Sequence, residues 1–143
     1  MENVSYEIFD LLYRLGVSAN YLGFFQTAYA VELCRAEPER LLLVTKLVYP
    51  DVARLCKTSR SAVESNIRTV CGIAWRNNRR LLEQLAFKPF PQKPQNSQFL
   101  ALLLYGLPAF QSIPGKAGLT DRFPARLRQE ERSEEQGENR KGT

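Results

Sequence analysis

Residues 57–68 read KTSRSAVESNIR. On a helix, Ala62, Val63 and Ile67 fall to one side, while Arg60, Ser61, Glu64, Ser65 and Arg68 fall to the other. A helix that merely faces water carries long lysines and glutamates at will. This one presents short hydroxyls and arginine donors on a slim outer face. Just before it, Thr58 and Ser59 make a turn, and Ser59 is placed to cap the helix by accepting from its first free N–H groups. Before the turn, Tyr49-Pro50 opens a short helix with proline in its first turn and Val52, Ala53 and Cys56 inward. Two helices joined so tightly, with small Ala53 where they touch and Val63 and Ile67 packing the second onto the first, form the pattern of a helix-turn-helix. Lys57 stands where that turn often has glycine.

Outward from this pair the apolar residues keep helical spacing. Ile8, Leu11, Leu12 and Leu15 predict a helix from about Val4 to Leu15, closed by Gly16 in the left-handed conformation. Ser18 or Asn20 is expected to cap a second helix reaching about Ala36 and burying Leu22, Phe25, Tyr29, Leu33 and Cys34. Pro38 permits a third helix from near Glu39, through the apolar stretch 41–48. On the other side, Val63, Ile67, Val70, Ala74 and Trp75 form one inward stripe, with Trp75 expected in the core. Asn77-Asn78 breaks the helix and 79–86 form a shorter one. The three prolines of FKPFPQKPQN, residues 87–96, require an extended loop. Asn96 or Ser97 then caps a last helix over 98–105, ended by Gly106 and Pro108. The expectation is an all-α, compact bundle of about six helices over residues 1–115, followed by a disordered mixed-charge tail over 116–143.

Composition narrows the function. The 143-residue chain has no histidine, which excludes Ser-His and Cys-His nucleophile systems and histidine-containing zinc sites. Cys34, Cys56 and Cys71 are odd in number, far apart and beside apolar neighbours, so they read as buried thiols rather than a disulfide framework or metal ligands. No Gly-rich phosphate loop or convergent carboxylate pair is present. Neither an enzyme, a metal site nor a cofactor is therefore expected. The opening MENVSYEIFD lacks the basic segment and apolar run of a signal peptide, and the apolar stretch FLALLLYGL from Phe99 is too short to span a bilayer. A soluble, cytoplasmic protein away from membranes is expected.

The net charge is +5, and the stretch 57–80 alone carries Lys57, Arg60, Arg68, Arg76, Arg79 and Arg80 against Glu64. Such a concentration suits an anionic partner. A recognition helix enters the major groove with its N-terminal half, so slim serines on that half make sense. Arg60 or Arg68 can place two donors on guanine, Glu64 can accept from the cytosine amino group, and Ser61 and Ser65 can bond base or phosphate. Lys57, Ser59, Thr69, Arg76, Arg79, Arg80, Lys88 and Lys93 are candidates for holding the backbone of double-stranded DNA without reading sequence. The plain alternative for Glu64 is an i,i+4 pair with Arg60 or Arg68 on a solvated helix, worth a few tenths of a kcal/mol.

Several stretches resemble a known family. LLYRLGVSAN at 11–20, TKLVYPDVARLCKTS at 45–59 followed by AVESNIR, IAW at 73–75 and KPQNSQFLA at 93–101 are similar to the C-terminal effector domain of the stage-zero sporulation transcription factor of endospore-forming bacteria. The resemblance runs from about Ile8 to Leu107. It implies about six helices and a wingless helix-turn-helix that binds a short DNA box, often as tandem copies, to activate or repress transcription. Glu64 and Arg68 match polar recognition-helix residues of that family, whereas Ala62 and Ser65 stand where it usually offers arginines. Family members also carry an N-terminal receiver domain with a phosphorylated aspartate; here the match begins almost at the first residue, so no such switch is expected. The sequence therefore reads as a sequence-specific DNA-binding transcriptional regulator, meeting DNA alone, with a second copy or with a full-length relative. The alternative is a protein-interaction module of the same fold that has lost operator binding and modulates such a relative.

Overall fold

The computed structural model describes residues 5–111. Within them the chain forms α1 (Tyr6–Arg14), α2 (Leu22–Ala36), a 3-10 turn (Pro38–Leu43), α3 (Val44–Leu47), α4 (Tyr49–Cys56), α5 (Arg60–Ala86) and α6 (Asn96–Gln111). The described residues contain six α-helices and no strand, an all-α arrangement as expected. The tail expected over 116–143 lies outside the described residues.

α1 follows its stripe, with Ile8, Leu11, Leu12 and Leu15 buried. It ends at Gly16, whose φ of 92° is the left-handed conformation open to glycine. The turn is held from a distance, because Asn77 Nδ2 donates to Gly16 O at 2.9 Å and Asn78 Nδ2 donates to Arg14 O at 2.9 Å. The asparagine pair thus clamps the C-terminus of α1. Asn78 has φ −154° and ψ 57°, yet the helix resumes beyond it. The break expected at Asn77-Asn78 is therefore a kink within one long α5, repaired in part when Asn78 Oδ1 accepts from Leu81 N–H at 3.2 Å.

α2 departs from expectation in its rotation. Leu22 and Phe25 are exposed and Tyr29 and Leu33 only half-buried, whereas Gly23, Phe24, Gln26, Thr27, Ala28, Ala30, Val31 and Cys34 are buried. A Cβ on Gly23 would lie 2.4 Å from Asn66 O and 2.6 Å from Val70 Cγ2. The backbones of α2 and α5 touch there, and only a face of small residues permits that approach. Nor does Ser18 or Asn20 cap α2: Tyr21 holds the N-cap position without a side-chain bond, and Ser18 and Asn20 bond each other.

Three further expectations change. The third helix is a 3-10 turn followed by the single turn of α3. Within 41–48 only Val48 is buried, while Leu42, Leu43 and Leu47 stay exposed. α6 runs on through Gly106 and Pro108 to Gln111. Its start is secured by the Gln98 side chain, which accepts from Gln95 N–H at 2.9 Å, rather than by Asn96 or Ser97. Trp75 is half-buried against the core rather than inside it. α5 is the axis of the fold, packed by α2, α4 and α6 in turn.

Candidate nucleic-acid interface

The joint between α4 and α5 has the chemistry a tight turn needs. Lys57 takes the left-handed conformation at φ 57° and ψ 51°, an angle that costs a non-glycine residue about 1 kcal/mol. Thr58 N–H donates to Ala53 O at 2.9 Å and Lys57 N–H to Arg54 O at 3.4 Å, the paired bonds that close a helix C-terminus. Ser59, in extended backbone, accepts from Ala62 N–H at 3.1 Å and so caps α5. Inside the joint, Val52, Ala53, Val63 and Ile67 are buried.

The N-terminus of α4 is anchored by charge. Arg40 reaches from the 3-10 turn to Asp51 at 2.7 Å and to Glu37 at 2.9 Å, and also donates to Leu47 O; Arg54 pairs with Asp51 from the next turn. The bond from Arg40, aided by Arg54, holds the Asp51 carboxyl below its ordinary value. A second brace comes from α6, where Asn96 Nδ2 donates to Tyr49 OH at 3.1 Å and to Glu64 O at 3.0 Å. One side chain thereby ties α6 to both helices of the joint. Burial raises the Tyr49 phenol pKa. On the opposite flank, Asn66 Nδ2 donates to Gln26 Oε1 at 3.0 Å. Sequence reading missed Asn66, Gln26 and the bracing role of Asn96, because their partners lie 40, 32 and 47 positions away.

The outer face is open. Lys57, Ser59, Arg60, Ser61, Glu64, Ser65, Arg68 and Thr69 are all exposed. Arg68 Nη2 donates to Glu64 Oε2 at 2.8 Å with both side chains about half exposed, a pair worth a few tenths of a kcal/mol and easily exchanged for another partner. Thr69 Oγ1 donates to Ser65 O at 3.1 Å. Positions 60, 64, 68, 72 and 76 follow one another in steps of four along α5 and form a ridge that winds part-way round the helix, so that Arg60, Glu64, Arg68 and Arg76 are exposed while Gly72 is buried. The place a Cβ on Gly72 would take lies 3.5 Å from the Arg76 guanidinium and 3.8 Å from Lys93 Nζ. Two cations distant in sequence are brought together there. An open cleft of about 440 Å³ continues from Glu64 and Arg68 to Lys93 and the first turn of α6. Lys57, Arg60, Arg76, Arg80 and Lys93 form no ion pair among the described residues.

Arg79 and Lys88 are placed differently. The Arg79 guanidinium lies 4.3 Å from the centre of the Trp75 ring, pairs with Glu83 at 3.1 Å and donates to Phe90 O. Glu83 in turn accepts from Phe90 N–H at 2.9 Å, a bond that lowers its carboxyl pKa. Arg79 thus fastens the proline-rich loop to α5, and Lys88 lies over the Phe90 ring at 5.7 Å.

Among the described residues no group of three or more His, Cys, Asp or Glu side chains is placed to hold a metal ion, and no helix is long and apolar enough to cross a membrane. Burial pushes the thiols of Cys34 and Cys71 up to about 11, which makes them poor nucleophiles near neutral pH.

The geometry is therefore a capped, braced helix-turn-helix with an exposed cationic ridge. A comparison with protein families agrees with it over 8–107, from within α1 to within α6. The chain belongs to the family of the sporulation initiation factor Spo0A C terminal, the DNA-binding effector domain of a transcriptional regulator of sporulation.

Proposed function

We propose that this chain is a sequence-specific DNA-binding regulator whose α5 enters the major groove with its N-terminal half. The observation that carries this reading is the contrast across that half-helix. Its inner face is anchored by Val63 and Ile67, while among the described residues the outer side chains bond only to one another, to Ser59 and to the Ser65 carbonyl. Arg60, Ser61, Glu64, Ser65 and Arg68 read base edges. The Glu64–Arg68 pair opens on binding, so that the guanidinium meets guanine and the carboxylate meets a cytosine amino group. Lys57, Ser59, Thr69, Arg76, Arg80, Lys88 and Lys93 hold phosphates. Arg79, with its donors engaged by Glu83 and Phe90, acts by positioning the loop that bears Lys88 and Lys93. A second copy on a neighbouring DNA box is the natural partner.

Selection of bound sequences from a random duplex pool at a stated salt concentration tests this. Enrichment of a short motif, relaxed at one or two base pairs by Arg68→Ala, is expected. Equal retention of all sequences by the unaltered protein and by Arg68→Ala would sink base reading. A second reading, a protein-interaction module acting on a full-length relative, is favoured by one observation: Leu22, Phe25, Leu42, Leu43, Leu47 and Leu55 are exposed. Absence of any enriched motif even at low salt is the result that supports it.

A further inference from the structure

The residues after Gln111 contain a carboxylate block. QEERSEEQGE, at 129–138, carries Glu130, Glu131, Glu134, Glu135 and Glu138 against Arg132, a third of the 15 acidic residues of the chain. In the fold, Arg60, Arg76 and Arg80 stand exposed on α5 without an ion pair among the described residues, and Lys93 adds a further cation beside Arg76.

We propose that the acidic segment 129–138 docks on the α5 ridge of its own chain and competes there with DNA, its carboxylates standing where phosphates would. This rests on the DNA-binding reading above and adds a regulator to it. Chain length permits the contact. Residues 112–129 separate the last described residue from Glu130, and a chain of that length can reach at most about 60 Å. A domain the size of the described part has a radius of gyration of about 13 Å, so the ridge is within reach. The connector itself carries Lys116, Arg122, Arg126 and Arg128 against Asp121, so it is repelled by the ridge and leaves the acidic segment as the part that binds. Tethering gives that segment an effective concentration of the order of millimolar, enough for a weak contact to be populated.

Three consequences can be read. The full chain is compared with the variant E130Q/E131Q/E134Q/E135Q/E138Q on random duplex DNA. At about 50 mM salt the variant should bind about 3- to 30-fold more tightly, since competition lowers the fraction of binding-competent protein. The gap should close as salt rises, because both contacts are ionic. Without DNA, backbone amide resonances of residues 57–80 should differ between the two proteins, most at Arg60, Arg76 and Arg80, and coincide at high salt. Identical low-salt spectra overturn the docking, even if the variant gains affinity, since that gain would then be a general effect of net charge. An affinity gap below about twofold at low salt overturns the competition. Differing spectra with no DNA binding by either protein would leave the docking intact and remove the function proposed above.

Discussion

α5 and α2 lie against each other and meet with opposite materials. α5 buries Val63, Ile67, Val70 and Cys71, while α2 buries Gly23, Thr27, Ala28, Ala30 and Val31 around one large residue, Phe24. On their far sides the contrast reverses. α5 shows serines, arginines and Glu64, whereas α2 shows Leu22 and Phe25. In α5 the more apolar face is the buried one, the ordinary rule for an amphipathic helix. α2 obeys a different constraint, the close backbone approach at Gly23. Burial there is decided by size as well as by transfer free energy, because a close-packed interior has no room to give.

The largest effect that can break this contrast lies on α5. Ile67→Ala should destabilise the fold by about 2–5 kcal/mol in chemical denaturation, through lost burial and a residual cavity. A loss below 1 kcal/mol would show that the joint between α4 and α5 is not the anchor described here. On α2 the corresponding change adds atoms. Gly23→Ala should cost about 1–3 kcal/mol by overpacking, even though alanine is the better helix former by about 1 kcal/mol. A stabilised Gly23→Ala protein would mean that the two backbones are not in contact.

The two helices also share a probe, since each buries a thiol, Cys34 on α2 and Cys71 on α5, raised by burial from 9.0 to about 11. The folded state keeps these thiols protonated after the unfolded chain has begun to ionise. Their contribution is therefore complete below pH 9 and is lost as pH rises from about 9 to about 11. Measured with reductant present, stability should fall by about 1 kcal/mol per buried thiol by pH 10. Replacing both by alanine should remove that component of the slope, and an unaltered slope would place the thiols in contact with water. The smallest effect sharpens the comparison most. Leu22, 74% exposed, should tolerate Leu22→Ser within about 0.5 kcal/mol. A cost above 2 kcal/mol would mean that α2 is rotated and its apolar stripe faces inward after all.

Legibility in the sequence followed the range of each interaction. The turn between α4 and α5 was readable because its parts are neighbours: Pro50 in a first turn, Lys57 at the glycine position and Ser59 before an amphipathic run. Each acts through bonds spanning three to five residues. The outward set Arg60, Ser61, Glu64, Ser65 and Arg68 was readable for the same reason, since helical periodicity assigns a face without reference to a partner. Arg79 shows where this stops. It has the charge of a phosphate contact, and its engagement by Phe90 and by Glu83 depends on how the proline-rich loop folds back.

By itself, then, the sequence determined an all-α chain, its helix-turn-helix, the capped start of α5 and the sign and position of its charge, because propensity, capping and periodicity are local. Only the tertiary structure decided which stripe of α2 is buried, that Asn77 and Asn78 clamp α1 while α5 merely bends, that α6 continues past Pro108, and that Asn96 braces the joint. Each of these depends on how closely two distant backbones approach or on which distant group is left needing a hydrogen bond. Those quantities exist only once the helices have been packed together.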